Sequence, residues 1–412
     1  MAEFLRLSLP ADALNQLFAN LPVSAIRSDS TDTADGLGRV TAAAIFAGEN
    51  LPEFSRSTVD GYAVRAVDTH GASEGLPAYL TIAGQVKMGQ MPEFQLNEGQ
   101  AGSIHTGGML PKGADAVVMI ENTQSIRPEE IEIHRPVASG ENILNIGEDV
   151  KKGELILDQG VLIRPAEIGG LMALGICDFS AVVRPRVGII SSGDEVINPQ
   201  LKPKTGQVRD VNSFTLAAFV RQCGGLPVHF GIVRDEVSEL KSKVSEALAA
   251  CDMVVITAGS SASVRDLTAD VLNSLDEPGV LVHGVNVKPG KPTILAVCSG
   301  KAVIGLPGNP VSALVIARIF VRPVIHKLLG IKKNSSSPII RARLTTNIAS
   351  QAGREDWIPV KLSKNESGFD AEPIFYKSNL IFSLIKADGL LNIEADQTGL
   401  SAKEMVDIEI LD

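Results

Sequence analysis

Between residues 185 and 330 the chain alternates short apolar runs with helical patterns, and this alternation constrains the fold more than any other feature. Val187 to Ile190 reads as a strand, Val211 to Gln222 as a helix, Pro227 to Val233 as a strand and Met253 to Ile256 as another strand. Between the last two, Val237, Leu240, Val244, Leu248 and Cys251 recur at helical spacing on one face. Repeated βα units of this size predict a mostly parallel sheet with helices on both faces. Ligands of such sheets gather at the carboxyl ends of the strands. SSGDEV (191–196), VRDE (233–236) and TAGSSASVRD (257–266) are therefore expected on one rim.

A chain of 412 residues exceeds one ordinary core, so other domains must flank this one. Residues 51–150 carry short β-type runs such as Tyr79 to Ala83 and Ala116 to Ile120, separated by Gly, Pro and Asn. Residues 1–50 read as short helices with Ser/Thr/Asp punctuation at 28–35. Residues 151–180 are mixed, with a helix from Pro165 to Leu174 that has Pro in its first turn. The strand-rich module thus reads as an insertion into a discontinuous domain formed by 1–50 and 151–180, followed by an α/β domain over 181–330. After a linker at Asn334 to Pro338, alternating runs at Ile339 to Leu344, Trp357 to Leu362 and Met405 to Leu411 predict a small C-terminal β-barrel or sandwich within 331–412.

Composition excludes several functions. Only 4% of residues are aromatic and the net charge is -10, which argues against nucleic-acid or anionic-membrane binding, so an anionic ligand needs a local basic pocket. Cys177, Cys223, Cys251 and Cys298 are scattered without metal-ligand spacing and read as buried free thiols of a reducing compartment. No run approaches the ~20 apolar residues of a membrane span, and the expected location is the cytoplasm. GxxxxGK[ST], HExxH and a GxGxxG after a strand are all missing.

Four constellations can carry chemistry. GLPGNPVS (305–312) joins a strand to an apolar helix, and the amides of that helix start can meet an anion. Lys288 and Lys291 in VKPGKPT sit on a stiff Pro-Gly turn suited to point-charge contacts with phosphate or oxyanion groups. Asp194, Glu195, Asp235, Glu236 and Asp266 lie at predicted strand ends, where carboxylates can hold Mg²⁺; N-capping is the alternative role for Asp235 and Asp266. Asp60 in DGYA and Thr106 in HTGG stand in turns of the strand-rich module and can face a ligand, although turn chemistry also explains them.

In order and spacing, DGYA, PKGADAVV, SSGDEV, VKPGKP and GLPGNPVS resemble the molybdopterin molybdenumtransferase family of molybdenum-cofactor biosynthesis, relatives of the gephyrin C-terminal region. The resemblance implies a multidomain α/β plus β protein: an α/β three-layer molybdopterin-binding domain, an inserted strand-rich domain and a C-terminal β-barrel. It implies insertion of molybdate into adenylylated molybdopterin with release of AMP and help from Mg²⁺, in a homodimer whose site is shared between subunits. A molybdopterin adenylyltransferase and molybdoenzymes are the implied partners. By the same resemblance Asp60, Asp235, Asp266 and Lys288 are catalytic, and Asp235 and Asp266 hold the metal. Thr106, Glu195, Thr257, Gly259, Ser260, Ser261, Ser263, Lys291, Pro307, Gly308, Asn309, Pro310 and Ser312 bind substrate. A non-catalytic molybdopterin-binding scaffold and a molybdopterin adenylyltransferase are the competing functions. Two departures stand out. Where the family loop runs close to TGGVSVGxxD, Ala258, Ser260, Ala262 and Ser263 replace Gly, Val, Val and Gly; and Gly284 stands where many members carry a lysine.

Overall fold

In the computed structural model the described residues are 7–23, 25–258, 262–332, 338–366, 368–375 and 377–411, with only the backbone described for 262–266. The βα alternation folds as one six-stranded sheet of β1 (Arg186–Ser192), β2 (Leu226–Val233), β3 (Met253–Ala258), β4 (Gly279–His283), β5 (Ile294–Cys298) and β6 (Lys301–Pro307). Their order is β2-β1-β3-β6-β5-β4. The first four are parallel neighbours, as the alternation predicts, while β5 runs antiparallel to both β6 and β4. The reversal is local: β5 and β6 are joined by Ser299 and Gly300 with φ of 51° and 69°, the left-handed pair a two-residue hairpin demands.

Helices cover both faces: α1 (Asn212–Gln222), α2 (Val237–Ala250), α3 (Ala262–Asn273) and α4 (Pro310–Ile316). Leu240, Val244 and Leu272 pack with Ile190 and Val254 on one face. Leu216, Val220, Ile316 and Phe320 pack with Ile189 and Val255 on the other. Successive sheet residues point to opposite sides, so β1 and β3 are apolar throughout because both faces are covered. The apolar helix expected after GLPGNPVS starts within that motif, at Pro310, and continues through a π-helical turn at Ala317–Val321 into Arg322–Leu328. Pro310 at its first turn loses no hydrogen bond there.

Among the described residues of 1–50, the expected short helices are Pro10–Asn20, whose Ala13 and Leu17 join the core of the α/β sheet, and a single 3-10 turn at Thr33–Asp35. Ser28–Asp32 is instead a strand, paired antiparallel with Asp178–Val182. Its sequence SDSTD is polar and three of its first four residues are exposed, so the apolar partner strand, not local propensity, makes it a strand. Ile45–Phe46 pairs likewise with Leu155–Leu157. Both pairings join segments from either side of residues 51–150. Within it, Ala116–Met119, Gly61–Val64, Gln100–Ile104, Ala78–Gln85, Glu130–Ile133 and Thr123–Arg127 form a second six-stranded sheet in that order.

The C-terminal strands Ile339–Leu344, Glu355–Asn365, Gly368–Pro373, Gly389–Ile393 and Met405–Ile410 close into a five-stranded barrel, because Glu355–Asn365 pairs with both Gly368–Pro373 and Gly389–Ile393. A two-residue strand from the α/β domain, Val287–Lys288, adds to the barrel in parallel beside Glu355 and Asp356. Among the described residues no helix is long and apolar enough to cross a membrane.

Candidate active site

The carboxyl ends of β1, β2, β3 and β6 share one rim, and so does the 284–293 loop that leaves the carboxyl end of β4. Two cavities open there, separated by the GLPGNP turn. The first, of about 470 Å³, is lined by Lys288, Lys291, Pro307, Asn309 and Ser312. The second, of about 440 Å³, is lined by Glu195, Thr257, Gly308, Asn309 and Pro310. Asn309 belongs to both, and its Nδ2 donates to Ser378 Oγ at 2.9 Å. Ser378 lines the first cavity, while Asn379 and Ile381 line the second, so one segment from the C-terminal region borders both.

The first cavity is cationic. Lys288 and Lys291 are held by a turn in which Gly290 has φ of +134°, and a Cβ there would lie 2.3 Å from Ile316 Cδ1. The turn therefore packs directly on α4. Opposite the lysines stand Arg354 and Asp356, brought in by the pairing of Val287–Lys288 with the barrel. Arg354 donates from Nε and Nη2 to the two oxygens of Asp356 at 2.7 and 3.0 Å, which fixes its guanidinium. Sequence reasoning missed Arg354 and Ser378, since neither sits in a motif and only the domain contact puts them at the site.

The helix start contributes less than expected. Pro310 has no amide proton, and the Val311 amide donates to Ser378 O at 3.2 Å, so that donor is already engaged.

The second cavity is rich in acceptors. Ser191 and Ser192 end β1, and Ser192 Oγ donates to Asp235 Oδ1 at 2.6 Å. The Asp235 backbone amide lies 3.4 Å from Asp194 Oδ1, which ties the loops after β1 and β2 together; neither carboxylate lines the cavity itself. The N-cap of α2 is Glu236, without a side-chain cap bond, so Asp235 is not spent on capping. Asp266 is the fifth residue of α3. Gly259, Ser260 and Ser261 lie outside the described residues, as do the side chains of Ser263 and Asp266. Beneath the cavity, Asp210, Ser213, Ser191 and Thr257 form a buried hydrogen-bonded group; Asp210 and Asn212 also line it, and no motif pointed to them. Among the described residues no three His, Cys, Asp or Glu side chains form a metal cluster.

Asp60 and Thr106 are brought together, but away from these cavities, neither of which they line. Gly61–Val64 pairs antiparallel with Gln100–Ile104, so the residue before one strand meets the loop after the other. Asp60 Oδ1 accepts from the Thr106 amide at 2.7 Å and from its hydroxyl at 3.1 Å. The amide above all, then the hydroxyl, holds the Asp60 carboxyl below its usual range. Any stability from this contact is present above the ordinary carboxylate pKa and is lost as pH falls through the lowered value. Asp60 is thus an exposed, preoriented carboxylate.

Residues 10–175 match the family model of the MoeA N-terminal region (domain I and II), 188–327 that described as "probable molybdopterin binding domain", and 341–411 that of the MoeA C-terminal region (domain IV). A molybdopterin molybdenumtransferase of Nostoc is 33% identical over 354 residues, 84% of this chain and 80% of that protein. One from Haemophilus influenzae is 30% identical over 399 residues, 96% of this chain and 97% of that protein. The crystal structure of a molybdopterin biosynthesis MoeA protein from Pyrococcus horikoshii superposes with a TM-score of 0.86 at 32% identity, covering 98% of this chain and all of that one.

Proposed function

The chain belongs to the MoeA family of molybdopterin molybdenumtransferases, and from that premise we propose that it transfers molybdenum from molybdate to the dithiolene of adenylylated molybdopterin, with cleavage of the phosphoanhydride and release of AMP. The observation that carries this reading is the pair of cavities meeting at Asn309. Lys288 and Lys291 offer point charges that suit a tetrahedral oxyanion or a phosphate, and Arg354, its Nε–Nη2 edge engaged by Asp356, stands beside them. Glu195 and the hydroxyls of the second cavity suit a nitrogen heterocycle. One substrate spanning both would bring its heterocycle and its phosphate to opposite sides of one turn.

Asp235 and Asp194 provide carboxylates of the kind Mg²⁺ accepts alongside substrate phosphates and water, and Asp266 completes the set in this reading. When bound, Mg²⁺ would offset negative charge on the departing phosphate. Ser192 orients the Asp235 carboxylate toward that task. Asp60 and Thr106 act in the cavities of a second subunit, so the working unit is a homodimer. The preoriented, exposed Asp60 supports that arrangement. The protein works in the cytoplasm, between a molybdopterin adenylyltransferase and the molybdoenzymes that receive the product.

The test is direct. Purified protein given molybdate, Mg²⁺ and adenylylated molybdopterin should release AMP and yield active cofactor. AMP release no higher than the blank sinks the proposal, and tight binding without turnover would leave a scaffold.

A further inference from the structure

The floor of the second cavity joins four side chains that are each at most 6% exposed: Ser191 in β1, Thr257 in β3, and Asp210 and Ser213 at the start of α1. Ser191 Oγ lies 3.0 Å from Asp210 Oδ2, 2.7 Å from Ser213 Oγ and 3.2 Å from Thr257 Oγ1. The other Asp210 oxygen accepts the Ser213 backbone amide at 3.1 Å.

Counting protons fixes the directions. A carboxylate only accepts, so Ser191 gives its single proton to Asp210. Its two lone pairs then face Ser213 and Thr257, and each of these must donate to it. Thr257 thereby commits its proton to Ser191 and can offer only lone pairs to the cavity it lines. The geometry points to Asp210 as a positioning residue that makes Thr257 an obligate acceptor, so that the ligand atom met there is an N–H donor and not a phosphate oxygen. Resting on the function proposed above, this assigns the exocyclic amine of a pterin or an adenine to the floor of the second cavity, beside Thr257.

Asn at 210 breaks the logic with little change of shape. Its oxygen must stay on the Ser213 amide, so its NH₂ turns to Ser191, which no longer has to take protons from both neighbours. The acceptor at Thr257 is then no longer enforced. The experiment titrates the full-length protein with three probes: 6-hydroxymethylpterin followed by fluorescence, and AMP and molybdate followed by calorimetry. Thr257→Val should weaken one of the two amine-bearing probes by roughly tenfold, the size of a mismatched buried hydrogen bond, and Asp210→Asn should weaken the same probe by a smaller factor. Thr257→Ser, which keeps the hydroxyl, should bind as wild type. The double variant Asp210→Asn/Thr257→Val should be no worse than Thr257→Val, because both act through one hydroxyl. Molybdate binding should not move. The probe that weakens identifies the ring, pterin or adenine.

Wild-type affinity of Asp210→Asn for both rings overturns the inference alone, as do losses that add in the double variant or extend to molybdate. Wild-type protein that binds neither ring overturns the functional reading and the inference together. If Thr257→Val fails to fold, Asp210→Asn against Thr257→Ser still decides.

Discussion

Gly284 illustrates how one backbone angle limits the charge a cavity can carry. The family resemblance leads one to expect a lysine there, but in this chain φ is +104° and the amide donates to Thr293 O at 2.8 Å. A side chain at such an angle is strained, by about 1–3 kcal/mol. Gly284→Lys should therefore lower stability to chemical denaturation by that amount and fail to tighten molybdate binding. A stable variant with higher affinity would show that the loop adapts. The cysteines are a second case decided residue by residue. Cys223, Cys251 and Cys298 are buried as expected, but Cys177 is exposed. Burial pushes the Cys223 thiol to about 12 and that of Cys298 to about 11. At pH 8 a disulfide reagent should thus label a single thiol quickly in the native protein, and Cys177→Ser should abolish that phase.

At the scale of elements, the lysine turn, α4 and one barrel strand hold each other in place. Gly290 abuts Ile316 of α4, and Val287–Lys288 pairs with Glu355–Asp356. Gly290→Ala would add both a clash and a positive-φ penalty, together roughly 2–4 kcal/mol. It should weaken molybdate binding in calorimetry as well, since both lysines move with the turn. Adding Ile316→Ala should relieve the clash but not the backbone strain, so rescue is partial. Full rescue would mean that φ at 290 carries no cost. The same packing takes one donor from the start of α4: the chain uses the Val311 amide to anchor Ser378.

For the whole molecule, the separation of Asp60 and Thr106 from both cavities leads to a prediction about assembly. If the sites are shared, Asp60→Asn and Lys288→Ala subunits, each inactive alone, should complement when mixed and allowed to exchange. Half of the dimers would then be mixed, each with one intact site, giving about a quarter of wild-type AMP release. No recovery, despite exchange shown by mass, would place Asp60 in the site of its own subunit or outside catalysis.

Periodicity and turn chemistry were enough to determine the parallel α/β core, the strand-rich middle and the barrel, because each is a local pattern repeated along the chain. Lys288, Lys291, Asn309 and Glu195 were legible too, since they sit in turns whose Gly and Pro content marks the rim. What the tertiary structure alone decided is long-range. Ser28–Asp32 became a strand only through a partner some 150 residues away. The GLPGNP turn split the site into a cationic and an acceptor-rich cavity. Arg354, Ser378 and Asp210 joined the site through domain contacts and buried hydroxyl geometry, which have no period and no motif because they depend on distances between segments far apart in sequence.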